Sequence, residues 1–274
     1  MTSTIPLRSE TRQGIAYLRA GTGMPVILLH GVGLRAEAWQ SQIEGLSARH
    51  DLIAPELPGH GGSAPIGGPA PDLRDFADRI GEAIAETARV PALIVGHSMG
   101  AMIALDLAIR RPDLCCGVVA LNAIFQRPDA ARQAVLARAE ALAKSEDNGV
   151  EAPLRRWFGD CPDGRNRAAA DACRDWLSTV DRAGYAAAYG AFARHDGPSL
   201  AALRGLSVPA LFLTGAQDPN STPAMSEAMA ALVPDGQLRI VDGAAHMVPM
   251  THCEAVNAAL AEFFEECRGT KGAA

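Results

Sequence analysis

A chain of 274 residues with 48% apolar content can bury a large core, and this length suits one α/β domain with an insertion better than two independent domains. A formal charge of -6 without any basic cluster excludes nucleic acid and an anionic membrane surface as expected partners and leaves a small molecule. The opening stretch MTSTIPLRSETRQG has no apolar h-region and no run reaches the ~20 apolar residues needed to cross a bilayer, so a cytoplasmic protein is expected.

Residues 14–19, GIAYLR, alternate apolar and polar and predict an early antiparallel strand closed by Ala20-Gly21-Thr22-Gly23. Residues 26–29 predict a buried strand ending in His30-Gly31-Val32-Gly33. A flexible turn directly after a central strand lets backbone N–H groups point into the space above the sheet, where an oxyanion is held. The Val32 N–H is assigned that role, and His30 is read as anchoring the loop. Residues 51–54 predict the next strand, followed by PELPGHGGS, a tight connection rather than a phosphate cradle because no G-K-[ST] follows. Leu73, Phe76, Ile80 and Ile84 stand at helical spacing over 72–88, with Asp72 where it suits the helix dipole.

The apolar run Leu93-Ile94-Val95 stops at Gly96-His97-Ser98-Met99-Gly100, a match to G-x-S-x-G. A strand that turns abruptly into a helix forces the serine into a strained conformation, and its neighbours two before and two after come too close for a Cβ. The buried helix 101–109 follows and ends at Arg110-Arg111-Pro112. Strand 117–121 comes next, and it delivers Asn122 where a carboxylate would serve catalysis. The βα rhythm then breaks: 123–205 shows helical patterns alone, through Val135, Leu136, Ala139 and Leu142, through Cys173, Trp176, Leu177 and Val180, and through Tyr185, Tyr189 and Phe192. This helical insertion is expected to cover the carboxyl ends of the central strands. Its aromatic residues then form its own core or line a substrate pocket, with Trp157, Phe158, Tyr185 and Tyr189 as the pocket candidates.

Strand 208–214 resumes the rhythm and leads to Asp218; helix 224–232 opens at Pro223; strand 237–241 leads to His246; helix 254–264 closes the domain, and 268–274 is expected to fray. The six cysteines, Cys115, Cys116, Cys161, Cys173, Cys253 and Cys267, show no C-x-x-C spacing and read as small buried hydrophobes.

A serine hydroxyl is a weak nucleophile at neutral pH and needs a base, which in turn needs a group to fix its tautomer. Asp218 and His246 each follow a late buried strand, so both emerge at the carboxyl edge where Ser98 lies, and the order Ser, Asp, His is the α/β-hydrolase order. His50, His97, His195 and His252 are worse placed, and Glu56 lies on a loop leading away.

The chain resembles the α/β-hydrolase superfamily through HGVG at 30–33, LPGHGGS at 57–63, GHSMG at 96–100, LTGAQDP at 213–219 and AAHMVP at 244–249. The resemblance implies an α/β-hydrolase fold: a mostly parallel central sheet flanked by helices, with core segments 1–122 and 206–274 and a helical cap over 123–205. It implies a catalytic triad of Ser98, Asp218 and His246, with the backbone N–H groups of Val32 and Met99 as the oxyanion hole. A serine at 98 sets it apart from the haloalkane dehalogenase and epoxide hydrolase branches, which place Asp there. Trp39 after HGVG, Arg156-Trp157-Phe158 and GYAAAY at 184–189 resemble 3-oxoadipate enol-lactonases and related carboxylic ester hydrolases, while Met247 departs from the Trp common in carbon–carbon hydrolases.

The expected activity is hydrolysis of a small or medium carboxylic ester or lactone through an acyl-enzyme. A carbon–carbon hydrolase, a cofactor-free perhydrolase and a ligand receptor on the same fold are the alternatives. No metal or organic cofactor is expected, because H-E-x-x-H and Cys/His ligand spacings are missing from the sequence, and a homo-oligomer is compatible with it. One of Arg155, Arg156, Arg165, Arg167, Arg174, Arg182 and Arg194 is a candidate to hold a substrate carboxylate; the alternative is that all lie on solvated helix faces.

Overall fold

The computed structural model describes residues 6–68, 70–144 and 149–269. Strands β1 (Leu7–Glu10) and β2 (Ala16–Ala20) run antiparallel at one edge, followed by the parallel strands β3 (Met24–Leu29), β4 (His50–Pro55), β5 (Ala92–His97), β6 (Cys115–Leu121), β7 (Ala210–Gly215) and β8 (Gly236–Val241). They form one eight-stranded sheet in the order β1-β2-β4-β3-β5-β6-β7-β8. Chain direction across the sheet reverses at β3, which pairs with β4 on one side and β5 on the other, and such a switch point leaves a crevice beyond the carboxyl ends of its strands. Strand β1 has no counterpart in the sequence reading. All four of its residues are exposed, so it has no buried face to imprint an apolar pattern.

The inner strands are near-continuous apolar runs because helices cover both faces. Ile27, Ile94, Val118 and Phe212 point to a core shared with helices α2 (Leu73–Thr87) and α3 (Met99–Arg110). Val26, Leu28, Val95 and Val119 point the other way, onto Trp39, α1 (Gln40–Leu46) and α11 (Cys253–Gly269). Full burial of each such side chain contributes roughly 1.5–3 kcal/mol. Helix α11 runs past residue 264 because Phe264 and Cys267 continue its buried stripe, and Arg268 sits in its last turn, paired with Glu265 at 2.9 Å, instead of fraying. Residues 270–274 lie outside the described residues.

Between β6 and β7 the chain is helical: α4 (Asp129–Lys144), α5 (Glu151–Phe158), α6 (Gly164–Thr179), α7 (Arg182–Ala193) and α8 (Leu200–Arg204). The remaining helices, α9 (Pro223–Leu232) and the short α10 (Val248–Thr251), flank β8 in sequence. Cys161 departs from the expectation for the cysteines: it is exposed on the connection between α5 and α6, while the other five are buried. Strand β6 also starts earlier than the run 117–121 implied, since Cys115 and Cys116 behave as strand hydrophobes, and burial pushes the Cys115 thiol up to about 12.

Candidate active site

Strand β5 turns into α3 at Ser98, whose φ of 55° and ψ of -117° lie where a side chain is strained. A Cβ on Gly96 would collide with the Gly100 carbonyl, and one on Gly100 with the Leu29 carbonyl, so the turn closes only with glycine at both positions. The Ser98 N–H donates to the Leu121 carbonyl at 2.9 Å, and α3 extends directly behind the serine with its N-terminus towards it.

The loop after β8 brings His246 Nε2 to 3.2 Å from Ser98 Oγ, and the loop after β7 brings Asp218 Oδ2 to 2.8 Å from His246 Nδ1. All three side chains are buried. Asp218 also accepts from the Asn220 N–H on Oδ1 and from Asn122 Nδ2 on Oδ2, each at 2.8 Å. Burial alone would raise its carboxyl, but the charge of His246 and these hydrogen bonds outweigh that, and the group is held below the usual carboxylate range. With Asp218 accepting on Nδ1–H, His246 presents Nε2 to the serine as an acceptor, the arrangement that draws a proton from a nucleophile.

Two residues passed over in the sequence reading support this line. Asn122, with φ of 51°, is the residue that β6 delivers in place of a carboxylate, and its amide donates to Asp218. Its signal was its place as the first polar position beyond the buried parallel strand β6. His97, inside the elbow, donates from Nε2 to the His246 carbonyl at 2.8 Å and fixes the backbone of that loop.

Met99 is the first residue of α3, and Val32 lies on the 30–33 loop; a Cβ on Gly31 would stand 3.2 Å from Ser98 Cβ, so that loop runs against the serine. A cavity of about 270 Å³ opens on Ser98 and His246. Trp157, Tyr185 and Tyr189 line it, with Trp157 stacked over His246 at 6.2 Å between ring centroids. Tyr185 and Tyr189 are also buried against each other edge to face at 6.0 Å, so they serve the core of the insertion and the cavity wall together. Phe158 does not line this cavity. It faces a separate polar hollow with Gln217 and His252, because consecutive helix residues point about 100° apart and Trp157 takes the inward direction.

Of the arginines singled out from the sequence, Arg156 lines the cavity. Arg155 pairs with Asp160 at 3.0 Å, Arg165 with Glu254 at 2.5 Å and Arg174 with Glu151 at 3.1 Å, while Arg194 donates to the Pro71 carbonyl at 2.8 Å; Arg167 and Arg182 are exposed. Two other arginines reach the cavity. Arg127 is spent on Asp196 at 2.6 Å and on the His195 carbonyl at 3.0 Å, which makes it part of the wall. Arg138 follows Ala131, Ala134 and Val135 on the inward face of α4, lies 5.3 Å over the Tyr189 ring and donates to the Gly149 carbonyl at 3.2 Å.

A model of the alpha/beta hydrolase family matches residues 26–259, most of the chain and every residue of the site. This chain belongs to the alpha/beta hydrolase family. The hydrolase is 39% identical over 249 residues to the (E)-2-((N-methylformamido)methylene)succinate hydrolase of Acinetobacter baylyi, covering 91% of this chain and 93% of that one. Among solved structures it is similar to a thermophilic esterase from Thermogutta terrifontis in its malate-bound form, with TM-score 0.81 and 27% identity over 96% of this chain and 99% of that one. It is similar as well to an E-2-(acetamidomethylene)succinate hydrolase, with TM-score 0.77 and 26% identity over 96% of this chain and 99% of that one. No described helix of the hydrolase is long and apolar enough to cross a membrane.

Proposed function

We propose that this hydrolase uses Ser98 to cleave the acyl–nitrogen bond of a small substrate that carries carboxylates, of the acylamino-methylene succinate class. The observation that carries the reading is the cavity over Ser98: apolar and aromatic on most of its wall, with Arg138 and Arg156 left without an ion-pair carboxylate among the described residues. Two cations at the cavity, Arg138 half-buried and Arg156 exposed, with no carboxylate partner among the described residues, favour an anionic ligand. Two of the relatives named above are hydrolases of substituted succinates, and succinate brings two carboxylates.

In the proposed reaction Ser98 Oγ bonds to the acyl carbon while its proton passes to His246 Nε2, and the acyl oxygen gains negative charge facing the N–H groups of Val32 and Met99. The acyl–nitrogen bond then breaks, and His246 returns the proton to the leaving nitrogen. Water, deprotonated by His246, attacks the acyl-enzyme and releases the acid. Asp218 steadies the imidazolium in both halves. No step calls for a metal or an organic cofactor. An ester or lactone of a diacid is the second reading: it needs the same groups with oxygen in the leaving position, and the likeness to a malate-bound esterase favours it.

Arg138→Met and Arg156→Met test the anionic preference, since methionine keeps much of the side chain's reach without its charge. With p-nitrophenyl acetate and mono-p-nitrophenyl succinate as a matched pair, each variant is expected to lose about 10- to 100-fold in kcat/KM on the succinate and to stay within about twofold on the acetate. Equal losses on both esters would remove the carboxylate subsite. An Arg165→Met control, on a cation already paired with Glu254, is expected to alter neither.

A further inference from the structure

The loop that carries Val32 is gripped from two sides by histidines that the triad does not use. His30 ends the run after β3 and His60 sits in the 57–63 turn; both are fully buried, with ring centroids 5.4 Å apart. The Leu57 N–H donates to His30 Nε2 at 2.9 Å, and the Gly33 N–H donates to His60 Nε2 at 2.9 Å, so each loop is held by a ring from the other. Because Nε2 accepts in both rings, the proton sits on Nδ1. Those Nδ1–H groups donate to the Gly31 carbonyl at 2.8 Å and to the Pro58 carbonyl at 3.2 Å.

The Gly31 carbonyl and the Val32 N–H belong to one peptide plane, and in a trans peptide they point in opposite directions. The bond from His30 that pins this carbonyl therefore also aims the Val32 N–H. The following plane is pinned through the Gly33 N–H by His60, with Gly33 in a left-handed conformation at φ of 79°. A protonated ring has no lone pair to offer either N–H; burial pushes His30 down to about 3 and His60 to about 4, so both remain acceptors at neutral pH.

We infer that His30 and His60 are positioning residues that preorganise the oxyanion hole, by locking the peptide planes on both sides of Val32 so that its N–H stands where the oxyanion forms. The inference rests on the proposed roles of Ser98 and Val32. An oxyanion donor is worth about 10² to 10³ in rate only while it needs no reorganisation at the moment of reaction, so a loosened plane forfeits part of that factor.

The two histidines act through different nitrogens, which sets up a crossed rescue. At His60 the atom that matters is Nε2: Gln carries an oxygen to that position, whereas Asn reaches only as far as Nδ1. At His30 the atom that matters is Nδ1–H, which Asn supplies and Gln does not. The readouts are kcat and KM on p-nitrophenyl acetate, the rate of Ser98 phosphonylation by a fluorophosphonate, whose P=O oxygen occupies the hole, and the melting temperature. His60→Asn and His30→Gln are expected to slow kcat and phosphonylation about 10- to 100-fold with KM within about twofold. His60→Gln and His30→Asn are expected to stay within about fivefold of wild type, although all four variants lose thermal stability. Rates that follow melting temperature without crossing, or wild-type phosphonylation of His60→Asn and His30→Gln, would overturn the positioning role. If either slow variant fails to fold, the pair at the other histidine decides alone. Wild-type protein that the fluorophosphonate labels elsewhere than Ser98 would instead bring down the nucleophile assignment, and the inference with it.

Discussion

Ser98→Ala is expected to lower kcat on any substrate of this hydrolase by roughly 10⁵- to 10⁶-fold while leaving the protein folded. The size follows from the geometry. His246 Nε2 stands 3.2 Å from Ser98 Oγ, so the base, its buried acid and the Asn122 and Asn220 donors behind that acid all serve one hydroxyl. Removing it leaves the machinery without an atom to activate, and the residue left is what the oxyanion hole and substrate binding give to attack by water. Alanine keeps the Cβ of serine, and the strained φ of 55° is held by Gly96 and Gly100, so the elbow itself has no reason to relax. The second substitution, His246→Ala, is expected to cost nearly as much and to add little on top of Ser98→Ala, because the two act as a unit. Single-turnover assays with circular dichroism on each variant check this; a folded Ser98→Ala protein with kcat near wild type would overturn the nucleophile assignment.

Acid is expected to unfold the protein with a midpoint between about pH 4 and 5. His30, His60 and His97 are fully buried and neutral, pushed down by burial from 6.5 to about 3, 4 and 3. A histidine depressed in the folded state costs nothing above the unfolded value near 6.5. Below it the unfolded chain binds a proton that the folded chain refuses, and stability falls until the pH reaches the folded value. At pH 4 each of the three accounts for roughly 3 kcal/mol of lost stability, and together they approach the whole 5–15 kcal/mol of a typical domain. Burial lowers His50 and His195 in the same direction, and Asp218, held low in the folded state, also loses its contribution as acid protonates it. The measurement is urea unfolding from pH 8 to pH 4. Stability that stayed level down to pH 4.5 would mean that these rings admit protons inside the fold.

Residue order along the chain was enough to name the three side chains that the structure brings into one hydrogen-bonded line. A parallel strand buried on both faces is a short apolar run, its carboxyl end is marked by the first polar or glycine residues, and every such end falls on the same edge of the sheet. Ser98 and Asp218 follow the buried strands β5 and β7, while His246 follows β8, a partly exposed edge strand parallel to them, so residues up to 148 positions apart come to one edge of the sheet. Gly96 is equally local, since a Cβ there would collide with the Gly100 carbonyl four residues on, whereas Gly100 is demanded by the Leu29 carbonyl of the neighbouring strand.

What lay beyond the sequence was the direction of side chains on the insertion and the identity of distant hydrogen-bond partners. Helix α4 is Ala-rich and buries only Leu142, so its composition does not say that Arg138 faces inward with Ala131 and Val135, nor does α5 say that Trp157 and not Phe158 turns to His246. Helix phase is set by what the helix packs against, and that surface is built from strand ends and loops far away in sequence. The same holds for Asn122 on Asp218, His97 on the His246 carbonyl and His60 on the Gly33 N–H, which pair across 96, 149 and 27 residues. A lone polar residue carries no local pattern that names its partner. Only the tertiary structure, by burying it where an unpaired polar group would cost about 1–3 kcal/mol, decides which group must satisfy it.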